Sequence, residues 1–337
     1  MSEQRLSLTE IQKITHDALY TSGARGLQLA AATESIVSAE AEGIRIVGLG
    51  FLSIYCDQLL ANKIDGQAIP EISKVSPSRL HANAKNGFCH AAFLAAFDSW
   101  ITMSQQQGIG LLTISQSNSA GVVGWFVEKA AKKGLLCLGF SNSSPMMAPV
   151  GGNQPFHGTN PLAFACPVAD QAAPLVIDMA TSQVAYVAVK ERAEAGLPIP
   201  ESWGRDAKGQ ATVDPWEVIN GGQMRPLGGD KGALLALMVD ILAGGLGGPN
   251  FSYQASSIVD DQGGPMGIGQ TFIAIDPGND PSNGGFPARI KALINAMAEA
   301  GSSRYPGLRR AQLANNAATQ GIKVPEPLLA EIRAYIN

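Results

Sequence analysis

The stretch APVGGNQPFHGTNPLAFACP, residues 148–167, places polar and turn-forming residues directly before a short apolar run. Within it, GTNP at 158–161 precedes a strand predicted near 162–166. The motif IDMATS at 177–182 begins where a second predicted strand, near 174–178, ends. Hydroxyl and amide side chains therefore stand at the ends of two successive apolar strands, which suits the binding of an anionic cofactor.

Two further stretches have the same character. SNSAGVVG at 117–124 puts small hydroxyl and amide side chains before an apolar helix. The free backbone N–H groups at such a helix start can face a phosphate. RPLGGDKG at 225–232 repeats the pattern and adds Lys231. Taken alone, each stretch is more commonly an ordinary capped helix.

Hydrophobic periodicity predicts an α/β chain whose ends are helical and whose middle contains strands. Helices are predicted near 7–22, 27–43, 47–62, 88–107, 120–134, 183–193, 231–244, 286–299, 309–320 and 326–336, and strands near 78–82, 110–115, 135–140, 162–166, 174–178 and 270–276. We expect 1–75 and 285–337 to pack together as one helical domain. The region 76–284 should contain the sheet and bind cofactor and substrate, with a further division near 120–225 left open.

Two local signals refine this pattern. Ser7 with Glu10 predicts a capping box at the first helix. GLPIPESWGRDAKGQATVDP, 196–215, is a long polar loop rich in Pro and Gly. Loops of that length are usually functional or mobile.

Composition limits the kind of partner. Charged residues make up 15% of the 337 residues, against about 25% in typical proteins. With 45% hydrophobic residues, this predicts that a second subunit covers part of the surface. A net charge of −4 without a Lys/Arg-rich run argues against nucleic acid. The apolar stretch 233–248 is too short for a membrane span and contains Asp240.

Cysteine and histidine usage points to a cytoplasmic protein without a metal site. The four cysteines lie far apart, with no CxxC pair, and only four histidines are present. Neither a disulfide framework nor a zinc-ligand spacing is visible.

Taken together and in order, four motifs resemble the malate/L-lactate dehydrogenase family, whose NAD(P) fold is not a Rossmann fold. They are residues 148–167, VIDMATS (176–182), LPIPESWGRDAKGQATVDP (197–215) and PLGGDKG (226–232). Three more stretches are most similar to reductases of the cyclic ketimines Δ1-piperideine-2-carboxylate and Δ1-pyrroline-2-carboxylate: FSYQ (251–254), GQTFIAIDPG (269–278) and YPGLRR (305–310). The resemblance implies an α/β fold with a central, mainly antiparallel sheet, and a homodimer.

The resemblance also implies a cofactor site assembled from several segments. Its residues are Ser119, Ala120, Gly121, Val122 and Val123, then Asp178, Met179 and Ala180, then Gly229, Asp230 and Lys231, with Arg304, Pro306, Gly307, Arg309 and Arg310 closing over the cofactor. Arginines that meet a 2'-phosphate would favour NADPH, and NADH stays open. An exposed arginine cluster is as often only a solvated surface.

EGIRIVGLG, 42–50, looks at first like a glycine-rich nucleotide loop. The dinucleotide fingerprint needs a third glycine and a preceding strand. This stretch lacks that glycine, and the Ala- and Glu-rich residues 27–42 before it predict a helix. A phosphate loop is therefore not expected here.

In the family this stretch carries a Ser-His-Gly motif, followed by an arginine and then a tyrosine. Matching Gly48 and Tyr55 to that pattern puts Ile46 at the serine, Val47 at the histidine and Phe51 at the arginine. Val47, Phe51 and Tyr55 are then expected to contact the substrate. The proton donor and the carboxylate-binding arginine of the family are both replaced by apolar residues.

Two other positions that carry ionisable groups in the family also lack them here. The carboxylate or lysine expected after DMATS falls at Ala188, and the histidine of a Ser-Asn-His segment falls at Ser119. The remaining substrate contacts map to Thr159, Tyr186 and Val187. His157 is the one histidine close to a site motif, and it is either a replacement proton donor or an ordinary strand-end residue.

The concerted loss of proton-handling groups bears on the reaction. Hydride addition to a ketone produces an alkoxide and benefits from a general acid, which contributes about 10²- to 10⁴-fold. A cyclic ketimine can carry its proton before reduction, because its nitrogen is more basic than a carbonyl oxygen. We therefore expect an NAD(P)H-dependent reductase of a small cyclic imino acid. A malate/lactate-type dehydrogenase and a catalytically altered nucleotide-binding homologue are the alternatives.

Overall fold

The computed structural model describes residues 2–171, 173–278 and 284–336 and centres on a seven-stranded sheet. The strands are β1 Glu3–Leu6, β2 Glu71–Ser76, β3 Arg79–Asn83, β4 Ile109–Ser117, β5 Leu136–Ser141, β6 Leu162–Cys166, β7 Leu175–Met179, β8 Gly204–Arg205, β9 Gln223–Met224, β10 Ile268–Ile275 and β11 Ile322–Pro325. The central sheet has the order β2-β3-β4-β10-β5-β6-β7. Its pairs are antiparallel except β3 with β4. The predicted mainly antiparallel α/β fold is confirmed.

Helices pack against the central sheet. They are α1 Leu8–Thr21, α2 Gly26–Ala41, α3 Leu52–Leu60, α4 Cys89–Gln107, α5 Val123–Ala131, α6 Tyr186–Glu194, α7 Pro215–Ile219, α8 Asp230–Asp240, α9 Gly285–Glu299, α10 Leu308–Gln320 and α11 Glu326–Arg333. A π-helical turn, Ile241–Gly245, extends α8. Among these helices, none is long and apolar enough to cross a membrane.

The central core lies between the sheet and the helices α4 and α5. Phe93 of α4 packs edge-on against Phe126 of α5 and Phe272 of β10, with ring centroids 4.9 and 5.1 Å apart. Gly139 on β5 permits the close approach of α5, because a Cβ there would lie 2.9 Å from a methyl of Val127. The six predicted strands are all present as members of this sheet.

A second core joins the two ends of the chain. Strand β1 pairs antiparallel with β11, so Leu6 lies opposite Ile322. Leu19, Leu52 and Ile332, from α1, α3 and α11, are buried together. The predicted packing of the termini is therefore present, while the predicted domain boundaries remain a prediction.

The predicted capping box at α1 is confirmed. The Ser7 hydroxyl accepts a hydrogen bond from the Glu10 N–H, and the Glu10 carboxylate accepts one from the Ser7 N–H at 2.8 Å. Elsewhere the prediction was wrong in detail. The helix expected over 47–62 begins only at Leu52, and the loop expected over 196–215 contains β8 and reaches the first residue of α7.

Candidate active site

A cavity of about 230 Å³ opens where the loops after β4, β5 and β7 meet the stretch that follows α2. Its lining is mostly apolar. It comprises Ile44, Ile46, Val47, Phe51, Ser119, Ala120, Gly121, Val122, Ser141, Asn142, Ser143, Met146, Thr159, Pro161, Asp178, Met179, Ala180, Ala185, Tyr186, Val187, Ile258, Val259 and Arg310. We call this the central cavity. Three of the four predicted cofactor segments contribute residues to this lining, as do most of the predicted substrate contacts.

Backbone hydrogen bonds join the polar strand ends that the sequence singled out. The N–H and the hydroxyl of Thr181 both donate to the Thr159 carbonyl at 2.9 Å. The Thr181 carbonyl in turn accepts from the Leu227 N–H at 2.8 Å. The segments 158–161 and 177–182 thus form one side of the cavity, as their positions at the ends of apolar strands led us to expect.

The stretch 42–50 forms another side, and a buried carboxylate decides which residues face the cavity. The Glu40 carboxylate accepts hydrogen bonds from the Arg45 guanidinium at 2.8 Å and from the Leu49 N–H at 3.1 Å. Gly48 lies against Glu40, since a Cβ there would come within 2.8 Å of its carboxylate. Arg45 also donates to the Lys323 carbonyl. Arg45 is therefore turned away from the cavity.

The apolar replacements inferred from the sequence do line the cavity. Ile46, Val47 and Phe51 are all part of its lining. Tyr55 is not, because its buried ring packs edge-on against Phe51 with the centroids 5.0 Å apart. Its hydroxyl lies 3.4 Å from the Ser119 carbonyl, and burial raises the pKa of this phenol. The predicted role of Tyr55 as a substrate contact stays a prediction.

One ion pair supplies the charge at the cavity. Arg310 Nη1 lies 3.3 Å from Asp178 Oδ2. Burial raises the pKa of Asp178, although Arg310 and the Gly124 N–H oppose that effect. Among the described lining residues there is no histidine, lysine or glutamate. Tyr186 is the remaining group with a dissociable proton, and its burial raises the pKa of the phenol above its usual value.

The polar floor of the cavity contains a group that the sequence did not indicate. Asn160 is fully buried, and its side chain makes three hydrogen bonds: it accepts from the Ser143 N–H and the Ser252 hydroxyl and donates to the Ala236 carbonyl. The Ser143 hydroxyl is buried and has no hydrogen-bond partner among the described residues. Because that oxygen has almost no accessible surface, the Thr159 side chain, which is only partly buried, is better placed to meet a ligand. The run of small polar residues after β5 was the available signal.

His157 lies outside the lining of the cavity. Its Nδ1 is 2.7 Å from Asp240 Oδ2, and both side chains are buried. Asp240 Oδ1 also accepts from the Ser252 N–H and hydroxyl and from Asn142, which does line the cavity. The His157 imidazole is thus connected to the cavity through Asp240 and Asn142. Its position favours the structural alternative over the predicted proton donor.

The C-terminal arginine segment forms a neighbouring pocket of about 560 Å³. Arg304, Pro306, Gly307, Arg309 and Arg310 all line it, together with Glu42. This arginine pocket shares Ile44 and Arg310 with the central cavity. Burial, helped by the nearby Glu128 carboxylate, raises the pKa of Glu42. The predicted cofactor residues of the C-terminus are therefore adjacent to those of the sheet.

Other predicted positions lie apart from this centre. Gly229 and Asp230 line a separate pocket that shares no lining residue with the central cavity, and Lys231 is exposed. Val123 is buried at the start of α5, and Ala188 is not part of the lining. Within the described ranges, no group of three or more His, Cys, Asp or Glu side chains is arranged to hold a metal ion.

A family profile described as malate/L-lactate dehydrogenase matches residues 6–333. The chain belongs to this family. The (2R)-3-sulfolactate dehydrogenase (NADP(+)) of Chromohalobacter salexigens is 36% identical to it over 98% of this chain and 97% of its own length. The Δ1-pyrroline-2-carboxylate/Δ1-piperideine-2-carboxylate reductase of Pseudomonas putida is 33% identical over 99% and 97%.

A solved structure extends the likeness to the ketimine reductases of the family. The crystal structure of Δ1-piperideine-2-carboxylate reductase from Pseudomonas syringae pv. tomato superposes with a TM-score of 0.92 at 30% identity, over 98% of this chain and 99% of the other. The predicted resemblance to the family and to its ketimine reductases is confirmed. The names of these relatives state different activities, so the reaction of this chain has to be inferred from its own site residues.

The network around Asp240 makes a stability prediction. Burial raises the pKa of this carboxyl, but hydrogen bonds from His157, Ser252 and Asn142 outweigh burial and lower it overall. A depressed pKa contributes stability above the unfolded-state value and loses it as the pH falls through the folded-state value. Asp240→Asn should therefore cost about 3 kcal/mol of unfolding free energy at pH 7. The deficit should shrink below about pH 4.

Urea unfolding across this pH range measures the effect. Asp170→Asn is the matched control, because Asp170 is exposed and pairs with Lys291 at the surface. That change should stay within about 0.5 kcal/mol. An Asp240→Asn protein as stable as the wild type at pH 7 would contradict the network. A His157→Ala protein with an altered pH dependence of kcat would indicate that His157 takes part in proton transfer.

Proposed function

We propose that the protein is an NAD(P)H-dependent reductase that converts a small cyclic ketimine carboxylate, Δ1-pyrroline-2-carboxylate or Δ1-piperideine-2-carboxylate, to the cyclic L-amino acid. The observation that carries the proposal is the lining of the central cavity. Ile46, Val47 and Phe51 occupy the family positions of a serine, a histidine and an arginine, and all three face the cavity. A reaction that brings its own proton fits such a site.

The electron and proton balance supports this choice. Reduced nicotinamide supplies a hydride. In the protonated ketimine that hydride adds to the carbon of the C=N⁺ bond, whose electron pair moves to nitrogen and leaves a neutral amine. A ketone would instead form an alkoxide and require a proton donor. The described lining offers only Tyr186 and the paired Asp178 for that purpose.

The residues present suit a dinucleotide. The central cavity and the arginine pocket adjoin each other through Ile44 and Arg310. The first is apolar, as a nicotinamide and a substrate ring require, and the second carries three arginines that can meet phosphate. Ser119, Ala120, Gly121 and Val122 lie at the start of α5 beside the central cavity. We propose NADPH as the cofactor on the basis of the arginines, with NADH open.

Substrate contacts follow from the same lining. The Thr159 side chain is the proposed partner of the substrate carboxylate. Ile46, Val47 and Phe51 would pack against the ring, and Tyr186 with Val187 would close the opposite side. Asn160 is fully buried, lies outside the lining and accepts from the Ser143 N–H, so it holds Ser143 in place rather than contacting the substrate.

A 2-hydroxy acid dehydrogenase is the second candidate. It is favoured by the 36% identical relative, whose name is (2R)-3-sulfolactate dehydrogenase (NADP(+)). A catalytically altered nucleotide-binding homologue is the third, motivated by the missing family donor at Val47 and Ala188. Both would use the same two pockets.

We also propose that the chain works as a homodimer in the cytoplasm. Helix α8 and its π-helical extension expose a row of large apolar side chains on one surface: Leu234, Leu237, Met238 and Ile241. A contiguous apolar surface of this kind marks an interaction site, and a closed two-fold pair is the commonest assembly. Four buried free cysteines suit a reducing compartment.

A substrate panel tests the reaction. Oxidation of NADPH and NADH is followed with the pyrroline and piperideine carboxylates, pyruvate, oxaloacetate and 3-sulfopyruvate. We expect turnover of the imines and little of the oxo acids, because the described lining lacks the family's proton donor. Oxo acid reduction at a comparable kcat/KM would overturn the proposal. If nothing turns over, the absence of a thermal shift at high cofactor concentration would contradict nucleotide binding itself.

Restoring the family's polar groups tests whether the apolar replacements are an adaptation to imine reduction. The triple variant Ile46→Ser, Val47→His, Ala188→Asp should not improve imine reduction, because the packing no longer supplies partners for three polar groups. It should gain only modest oxo acid reduction, since a donor misplaced by about an ångström loses on the order of 10²-fold. A large rise in kcat/KM for the ketimine, with circular dichroism unchanged, would show that the site has lost catalytic groups rather than adapted to a protonated imine.

The dimer is tested by light scattering. The wild type should have twice the mass of the 35.1 kDa chain at micromolar concentration. Leu237→Glu should shift it toward the monomer, because a charge would have to be buried in the interface. Leu60→Glu is the control, since Leu60 is more exposed, at 60%, but lies on α3. A wild-type monomer, or a dimer insensitive to Leu237→Glu, would contradict this interface.

A further inference from the structure

One wall of the central cavity is a segment without helix or strand, residues 257–262. Ile258 and Val259 of this segment, which we call the wall loop, line the cavity. A loop gains little rigidity from its own backbone, so its position depends on groups outside it. Two side chains from the region of α3 supply those contacts.

Lys63, just beyond the end of α3, lies under the wall loop. Its side chain is 0% exposed. Its ammonium donates to the carbonyls of Ser257 and Gln262 at 2.7 Å and of Asp260 at 3.1 Å. The Asp260 carboxylate lies 3.7 Å away. The three donors of the ammonium thus meet three carbonyls that belong to one short loop.

Gln58 on α3 adds two hydrogen bonds to the wall loop and connects it to another part of the cavity wall. Its Nε2 donates to the carbonyls of Ile258 and Asp260, both at 3.1 Å. Its Oε1 accepts from Asn118 Nδ2 at 3.0 Å. Asn118 directly precedes Ser119, which also lines the cavity. A continuous set of hydrogen bonds therefore links two walls of the cavity through Gln58.

The free-energy cost of burying the Lys63 ammonium indicates that this side chain does more than fill space. Removing an ammonium from water is expensive unless its donors are all satisfied. Burial indeed lowers the pKa of Lys63, while Asp260 and Asp261 act in the opposite direction. An apolar side chain would fill the same volume at no such cost, but it would leave the carbonyls of Ser257 and Gln262 without donors. The lysine is matched to the backbone of the wall loop.

We propose that Lys63, assisted by Gln58, is a positioning residue that fixes Ile258 and Val259 as a wall of the substrate site and so sets the affinity for the ring. The identity of that ring rests on the proposed ketimine reduction. The positioning itself does not depend on it. No covalent step is involved, and Lys63 does not touch the substrate.

Hydrogen exchange tests the positioning without any turnover. Lys63→Met keeps the length of the side chain and removes its donors. Amide exchange across 256–262 should accelerate at least tenfold, while β4 and β10 stay protected as in the wild type. Lys74→Met, on the exposed strand β2, is the matched control and should change neither region. Unchanged exchange in the wall loop of a folded Lys63→Met protein would overturn the proposal.

Kinetics separate positioning from general stability. In Lys63→Met we expect KM for the ketimine to rise about tenfold with kcat within about threefold, because an unfixed wall weakens ring binding more than the chemical step. The KM for the cofactor should not change. A fall in kcat at unchanged KM, in step with a lower Tm, would assign Lys63 a purely structural role and refute the proposal.

Chemical rescue supplies a readout that survives failure of the proposed reaction. Lys63→Ala leaves a space that n-propylammonium matches in length and donors. Added n-propylammonium should restore slow exchange of residues 256–262 in a saturable manner, and the ketimine KM with it. Tetramethylammonium, which has no N–H, should not. If the wild type reduces no imine, the hydrogen exchange of residues 256–262 still tests whether Lys63 positions the wall loop. Failure of n-propylammonium to slow that exchange would count against the proposal.

Discussion

The buried carboxylate of Glu40 determines how the stretch after α2 meets the rest of the molecule. Glu40 is only 2% exposed, and a buried charge is tolerated only when it is paired and hydrogen-bonded. Arg45 and the Leu49 N–H provide that compensation, and Gly48 provides the necessary space. Since these polar groups are directed at Glu40, the apolar side chains of the same turns are left to face the cavity. The character of the site follows from this one satisfied charge.

The fold was predictable where local pattern and tertiary environment agree. The six predicted strands are apolar runs of the central sheet, flanked by turn residues, and all six were found. Strand β2 was missed because five of its six residues are exposed at the sheet edge, which leaves no hydrophobic alternation. Strands β1 and β11 were missed because their pairing joins the two ends of the chain. The helix expected from residue 47 starts at Leu52, because Gly48 adopts a non-helical conformation with φ −92° and ψ −125°.

The site was predictable in its segments and less so in its atoms. From the order of motifs alone, Thr159, Asp178 and the turn at Ser119 were assigned to one site, and all three line the central cavity. The buried polar groups beneath the cavity were not foreseeable, since Asn160 is held by partners as distant in sequence as Ser252 and Ala236. The wall loop was missed for a similar reason. Its lining residues are held by Lys63 and Gln58, nearly 200 positions earlier in the chain.

The ion pair between Arg310 and Asp178 bears on which substrate the cavity suits. At 3.3 Å the two charges largely cancel, so the site offers little net positive potential to an anion. A 2-oxo acid carries at least one uncompensated negative charge into this apolar space and would need a free cation. A protonated ketimine carboxylate is a zwitterion whose own charges sum to zero. Its carboxylate can be met by a neutral hydroxyl donor such as that of Thr159, and its ring can pack against the apolar part of the lining. Charge balance and the missing proton donor thus favour the same chemistry for independent reasons.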